Sequence, residues 1–144
     1  MIITLRSSIE DLLKSGTTVL CDRYAFSGIA FSASKGLPYS WCRAPEISLP
    51  SPDLTLFLDI LPEKAKERGG YGEERYEEEG VQRRVREVFE RIGVEMNEVS
   101  SGKWITVDAG YELDAVTEVI WNHVLPLYQS DPELPIQRLW EDLP

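Results

Sequence analysis

An acid and a base stand side by side at Asp22 and Arg23, directly after the short apolar, β-branched run Thr17–Cys21. In open α/β sheets, ligands bind outside the carboxyl ends of the strands, so a charged pair at such an end faces the crevice rather than the core. A carboxylate there could hold a hydrated Mg²⁺, and a guanidinium could fork onto a phosphate. On the dipeptide alone, the plainer alternative of a surface ion pair capping a loop carries more weight.

Three further stretches bring polar groups together. Residues 68–79 read Arg-Gly-Gly-Tyr-Gly-Glu-Glu-Arg-Tyr-Glu-Glu-Glu. The glycines free the backbone while Arg68, Arg75 and Tyr76 add polar and aromatic reach, which fits a closing flap and equally a solvated, salt-bridged loop. Asp108-Ala109-Gly110 follows the run Trp104–Val107 as a small-residue loop between a strand and a helix. Asp59 follows another apolar run, where a lone acid is more often a cap or a solubilising residue than a ligand. The single histidine, His123, falls within an apolar stripe and has no partner on its face, so it reads as a core or interface residue rather than a base or metal ligand.

The elements that must position these groups alternate between helix and strand. Ile2, Leu5, Ile9, Leu12 and Leu13 recur at helical spacing, and Gly16 follows as a left-handed cap. The chain thus opens on a helix, whereas a doubly wound fold normally begins on a strand. Thr17–Cys21 predicts a first strand, in which Cys21 is a small hydrophobe, and Phe26–Pro50 predicts loop and short helix. The nearly continuous apolar run Leu54–Leu58 predicts a parallel strand covered on both faces. Pro62 opens a short helix from Glu63 to Arg68. Val81, Val85, Val88, Phe89 and Ile92 predict an amphipathic helix that ends near Gly93, with Arg83, Arg84 and Arg86 on its wet side. A third strand is predicted at Trp104–Val107. A final helix presents Val116, Val119, Ile120, His123, Val124 and Leu127, and residues 129–144 form a proline-rich tail pinned by Leu139 and Trp140.

Composition sets the bounds. The chain has 144 residues, 42% hydrophobic and 28% charged, within the usual range for one globular domain. Its net charge of −10 opposes a nucleic-acid partner, although single phosphates can still be bound by local cations. Two cysteines are too few for a disulfide framework, which points to a reducing compartment. No run approaches the ~18 apolar residues of a membrane span, and no secretory leader is evident, so the expected location is the cytoplasm or nucleus without a membrane partner.

Taken together, Asp22-Arg23-Tyr24-Ala25-Phe26-Ser27-Gly28, Trp41-Cys42, Leu49-Pro50, Pro52-Asp53-Leu54, Arg68-Gly69, Gly72, Glu74-Arg75-Tyr76-Glu77 and Val107-Asp108-Ala109 resemble eukaryotic thymidylate kinase, in order and near-family spacing. The resemblance runs from about Leu5 to the end of the final helix. It implies an α/β fold of the P-loop nucleoside monophosphate kinase type, a parallel sheet with flanking helices whose first two strands are missing. It also implies phosphorylation of dTMP to dTDP, with ATP as donor and Mg²⁺ as cofactor. Residues 1–128 would be the carboxy-terminal part of the kinase domain, with a LID segment at about 68–79.

By the same resemblance, Asp22 lies near the metal and phosphates, and Arg23 binds the dTMP phosphate. Ser27 and Gly28 border the dTMP pocket. Arg68 and Arg75 serve the ATP phosphates or adenine, Tyr76 the dTMP sugar, and Ala109, Gly110 and Tyr111 the adenine. The family often carries a basic residue where Tyr111 stands and another where Trp121 stands. The complete family protein is expected to be a homodimer.

The Gly-x-x-x-x-Gly-Lys-Ser/Thr loop that cradles phosphates occurs nowhere in the 144 residues. The expectation is an amino-terminally truncated kinase that is inactive alone. The alternatives are a non-catalytic fragment associating with a full-length kinase, or a kinase for another nucleoside monophosphate. In the family sheet a missing strand would separate Thr17–Cys21 from Leu54–Leu58. The two survivors must then pair directly, recruit a partner strand, or leave the region unfolded.

Overall fold

A computed structural model describes residues 2–67, 79–98, 102–129 and 135–141. The opening helix α1 (Ile2–Lys14) stops as its sequence dictates. Gly16 takes φ +78°, the Thr17 amide donates to the Leu12 carbonyl at 3.0 Å, and the Gly16 amide donates to Leu13 at 3.0 Å. That pair of bonds satisfies carbonyls that a helix end otherwise leaves unpaired.

The expected strand at Thr17–Cys21 does not form. These residues are irregular, Leu20 is 95% exposed, and Cys21 is exposed rather than packed. A β-branched run supplies side chains suited to a strand, but a strand also needs a ladder partner for its amides and carbonyls. Among the described residues, neither of the two strands pairs with this stretch.

Those two strands, β1 (Leu54–Asp59) and β2 (Lys103–Asp108), pair in parallel with Leu54 opposite Lys103 and Asp59 opposite Asp108. Both therefore end at the same edge, each on an aspartate. One face of the pair is well covered, because Phe57 stacks on Phe89 with ring centroids 4.7 Å apart and Trp104 lies beside both. The other face is covered unevenly, since Val107 of β2 is 2% exposed while its partner Leu58 of β1 is 51% exposed. The expectation of cover on both faces of β1 thus fails on the side of Leu58.

The covering helix, α5 (Glu79–Glu98), runs past Gly93 instead of ending there. A Cβ at Gly93 would lie 2.8 Å from the indole nitrogen of Trp104, so this glycine admits a ring rather than stopping a helix. Arg83 and Arg84 are exposed as expected, whereas Arg86 is half-buried and departs from the wet face. Arg84 donates from Nε to the Ser34 carbonyl at 2.9 Å, closing the end of α2 (Ala25–Ala33), and Arg86 pairs with Asp59.

The core forms where α2 meets α5 and β2. Phe26, 4% exposed, meets Trp104 and Trp140 edge-on at 5.3 and 5.9 Å, and Ile29, Ile92 and Met96 pack around them. Edge-to-face rings of this kind add about 0.5–1.5 kcal/mol per pair beyond the area they bury. The short helix α3 (Tyr39–Arg43) closes one side of the core through Cys42, which is buried.

The closing segment lies against this core. The Leu139 amide donates to Leu49, and the Ser48 amide donates to Leu139, each at 2.9 Å. Arg138 forms an ion pair with Glu10 of α1, tying the two ends of the chain together. Leu139 and Trp140 are 0% and 1% exposed, so the tail is anchored by the two residues its sequence singles out.

Candidate functional site

Arg23 reaches its position through an unusual backbone. It has φ +62°, a left-handed conformation that L side chains enter at a cost of roughly 1–2 kcal/mol. The turn leads directly into α2, whose first residues bury Ala25 and Phe26 and so fix the direction of the helix. Arg23 stays exposed, and its guanidinium carbon lies 5.3 Å from the ring centroid of Phe31, two turns along that helix.

Phe31 is also part of the wall of an open cavity of about 340 Å³. Its lining includes Phe57, Asp59, Gln82, Arg83 and Arg86. The size falls within the range of small-molecule pockets, which combine apolar walls with a few polar groups. Asp59 and Arg86 neutralise each other inside it. The cavity thus sits by the carboxyl end of β1 with a cation at its rim.

Ser27 and Gly28 occupy the first turn of α2, the former half-buried and the latter exposed, with nothing within 4 Å of where a Cβ would stand on Gly28. Asp22 is exposed, and among the described residues its carboxylate has no hydrogen bond or ion pair. Among the described residues there is no group of three or more His, Cys, Asp or Glu able to hold a metal by themselves. A lone free carboxylate fits Mg²⁺, which usually takes one or two carboxylates and completes its shell with water and substrate phosphates.

The loop after β2 lies on the other flank of Asp59. The Ala109 amide donates to the Asp59 carbonyl at 2.7 Å, and the Gly110 amide to the Asp108 carboxylate at 2.7 Å. Tyr111 follows with its ring over the ammonium of Lys64 at 5.1 Å, where α4 (Pro62–Glu67) starts after β1. Asp59 therefore joins the two halves of the site, its carboxylate in the cavity and its carbonyl holding the loop. Arg68, Arg75 and Tyr76 lie outside the described residues.

Phe31 and Lys64 escape a reading of the sequence, while Asp59 and Arg86 are read there only as a cap or solubilising acid and as a wet-face cation. A signal exists for Arg86, because Gln82, Arg86 and Phe89 recur at helical spacing and must share a face with the stripe that packs on β1. His123 is half-buried on α6 (Leu113–Val124), away from these groups.

The thymidylate kinase family model matches residues 1–120. The chain belongs to the thymidylate kinase family. A thymidylate kinase from Arabidopsis thaliana is 43% identical over 136 residues, covering 94% of this chain and 49% of the relative. One from Schizosaccharomyces pombe is 47% identical over 108 residues, 75% of this chain and 51% of the relative. The human thymidylate kinase is 37% identical over 134 residues, covering 92% of this chain and 61% of the relative. The chain thus spans about half the length of the curated relatives it matches. A solved structure of thymidylate kinase from Candida albicans superposes with a TM-score of 0.76 at 30% identity, covering 94% of this chain and 67% of that one. The two-stranded parallel sheet with its flanking helices is accordingly part of a nucleoside monophosphate kinase fold.

Proposed function

We propose that this chain carries the acceptor-nucleotide side and the closing segment of a thymidylate kinase site, for the reaction dTMP + ATP → dTDP + ADP. The observation that supports it most is Arg23 over Phe31, which sets a phosphate-binding cation at the rim of a cavity of about 340 Å³. Arg23 forks onto the dTMP phosphate, and its planar donors suit that anion better than an ammonium. Ser27 and Gly28 border the same nucleotide from the first turn of α2.

The remaining roles extend from this pair. Asp22 would hold Mg²⁺, which neutralises phosphate charge during transfer when it is bound. Residues 68–79 serve as the LID, with Arg68 and Arg75 near the ATP phosphates or adenine and Tyr76 near the dTMP sugar. Ala109, Gly110 and Tyr111 border the adenine. The dTMP phosphate is itself the nucleophile, so no activated Ser, Cys or His is required. Residues 1–128 act as part of the kinase domain, and residues 129–144 as a tail that anchors it.

The phosphate-cradling loop is absent from the 144 residues, so these residues alone should turn over dTMP far below the ordinary kinase rate of about 1–100 s⁻¹. A coupled assay checks that expectation. Equilibrium dialysis tests the assignment of substrate: dTMP should bind more tightly than dCMP, dAMP or dGMP. Tighter binding of another monophosphate would overturn it in favour of a kinase for that nucleotide.

A second reading, a fragment that associates with a complete kinase, is favoured by the exposure of Leu20 and by the bare side of β1 at Leu58. For the complete protein a homodimer is proposed, and the outward Trp121, Leu125 and Tyr128 supply apolar surface for it. Among the described residues no helix is long and apolar enough to cross a membrane. The proposed location is the cytoplasm or nucleus, and the net charge of −10 disfavours nucleic acid as a partner.

A further inference from the structure

Lys64 projects from α4 onto a loop that belongs to a different strand. Its ammonium lies 5.1 Å from the ring centroid of Tyr111, within the range in which a cation is attracted to an aromatic face. A Cβ built on Gly110 would meet Lys64 Cδ at 2.7 Å and Nζ at 2.9 Å, so the lysine stem crosses directly over this glycine. The loop beneath is fixed at two points, by the Ala109 amide on Asp59 and the Gly110 amide on Asp108. Tyr111 is nonetheless 60% exposed. Its ring thus meets a cation while most of the residue's surface stays accessible to solvent.

We propose that Lys64 is a positioning residue for the donor nucleotide, holding Tyr111 as a platform on which a purine base stacks. This rests on the reading of Ala109, Gly110 and Tyr111 as the donor-base loop. A cation behind an aromatic ring draws electron density from it, which strengthens stacking of an electron-rich purine on the opposite side. It also fixes the ring orientation, so less side-chain freedom is lost when the base arrives. Lys64 acts through Tyr111 and does not itself contact the base. The lysine stem would move if Gly110 gained a side chain, which makes the glycine a condition of the arrangement rather than a mere hinge.

The test is titration of the full chain with ATP, read from the amide resonances of Ala109 and Gly110, beside the same titration with inorganic tripolyphosphate. Lys64→Met keeps the stem and removes the charge. It should weaken ATP by about fivefold, the equivalent of roughly 1 kcal/mol for an exposed cation–aromatic contact. Lys64→Arg should restore affinity to within about twofold, since a guanidinium also sits on a ring. Tripolyphosphate binding should be unchanged in both variants, and Tyr111→Leu should match or exceed the loss seen with Lys64→Met.

Equal ATP affinity in the wild-type and Lys64→Met chains would overturn the role of Lys64 and leave the donor-loop reading standing. An equal loss for tripolyphosphate would show Lys64 to be a phosphate cation, which also overturns it. Failure of ATP to perturb the Ala109 and Gly110 amides in the wild-type chain would remove the donor-loop reading itself. Resonances of the Phe26 and Trp104 core report whether each variant is folded, and Tyr111→Leu tests the platform independently of any change at Lys64.

Discussion

Arg86 on α5 forms an ion pair with Asp59, the last residue of β1, across the wall of the cavity. The pair joins the helix to the sheet just where the nucleotide is proposed to sit. Asp59 also accepts the Ala109 amide at 2.7 Å, so its position governs both halves of the site.

Removing only the acid leaves a guanidinium beside an apolar wall. Arg86 keeps 36% of its side-chain surface and Asp59 keeps 19%, so solvent offsets part of the loss. Asp59→Ala should therefore cost about 1–2 kcal/mol, and adding Arg86→Leu should recover part of it. Urea unfolding of the two single variants and the double variant checks this. Strictly additive losses would show that the pair contributes no coupling.

Gly93→Ala places two effects in opposition. Alanine favours a helix interior over glycine by about 1 kcal/mol, while crowding a packed ring costs about 1–3 kcal/mol. With Trp104 Nε1 at 2.8 Å from the new methyl group, crowding should win. The expected outcome is a net loss of about 1 kcal/mol in unfolding free energy, with a shift in tryptophan fluorescence. A more stable variant with unchanged fluorescence would contradict this packing.

Glu10 carries a pH signature. Hydrogen bonds from Arg138 and Arg6 lower its carboxyl from 4.5 to about 2. A carboxyl depressed in the folded state contributes stability above its unfolded value, and loses it as pH falls through the folded one. Wild-type protein should thus exceed Glu10→Gln in stability at neutral pH, with the gap closing as pH falls from 4.5 towards about 2. Chemical denaturation at several pH values and constant ionic strength provides the measurement. A gap that stays constant across that window would contradict the contact between the chain ends.

Local chemistry made several elements legible. Gly16 behaves as the sequence requires, since only a left-handed residue closes both bonds to Leu12 and Leu13. The apolar runs at β1 and β2 and the anchoring role of Leu139 and Trp140 were equally readable, because burial pattern decides them. Thr17–Cys21 was misread because side-chain preference cannot supply a missing ladder partner. Gly93 was misread because a stop and a close approach use the same residue, and only the position of Trp104 separates them. Asp59 with Arg86, 27 positions apart, and Lys64 with Tyr111 were invisible for the same reason: each pairing is created by the fold.

The left-handed backbone at Arg23 carries strain, as it does at Ser48 and Trp140, and strain persists where something else holds it. Arg23→Gly relieves that strain, and stability should rise by about 1 kcal/mol as the proposed phosphate cation is lost. Thermal unfolding checks the sign. A loss of stability would mean that the stacking of Arg23 on Phe31 outweighs the strain.

The central claim, that Arg23 at the rim of the Phe31 cavity binds the dTMP phosphate, is tested most directly by comparing dTMP with thymidine. Calorimetric titration of both ligands into the wild-type chain and into Arg23→Ala isolates the phosphate contribution. The wild-type chain should prefer dTMP over thymidine by about 10- to 100-fold, as for a charge-assisted bidentate contact of about 1.5–3 kcal/mol. In Arg23→Ala that preference should collapse, with thymidine binding unchanged. An equal preference for dTMP in both proteins would contradict the assignment.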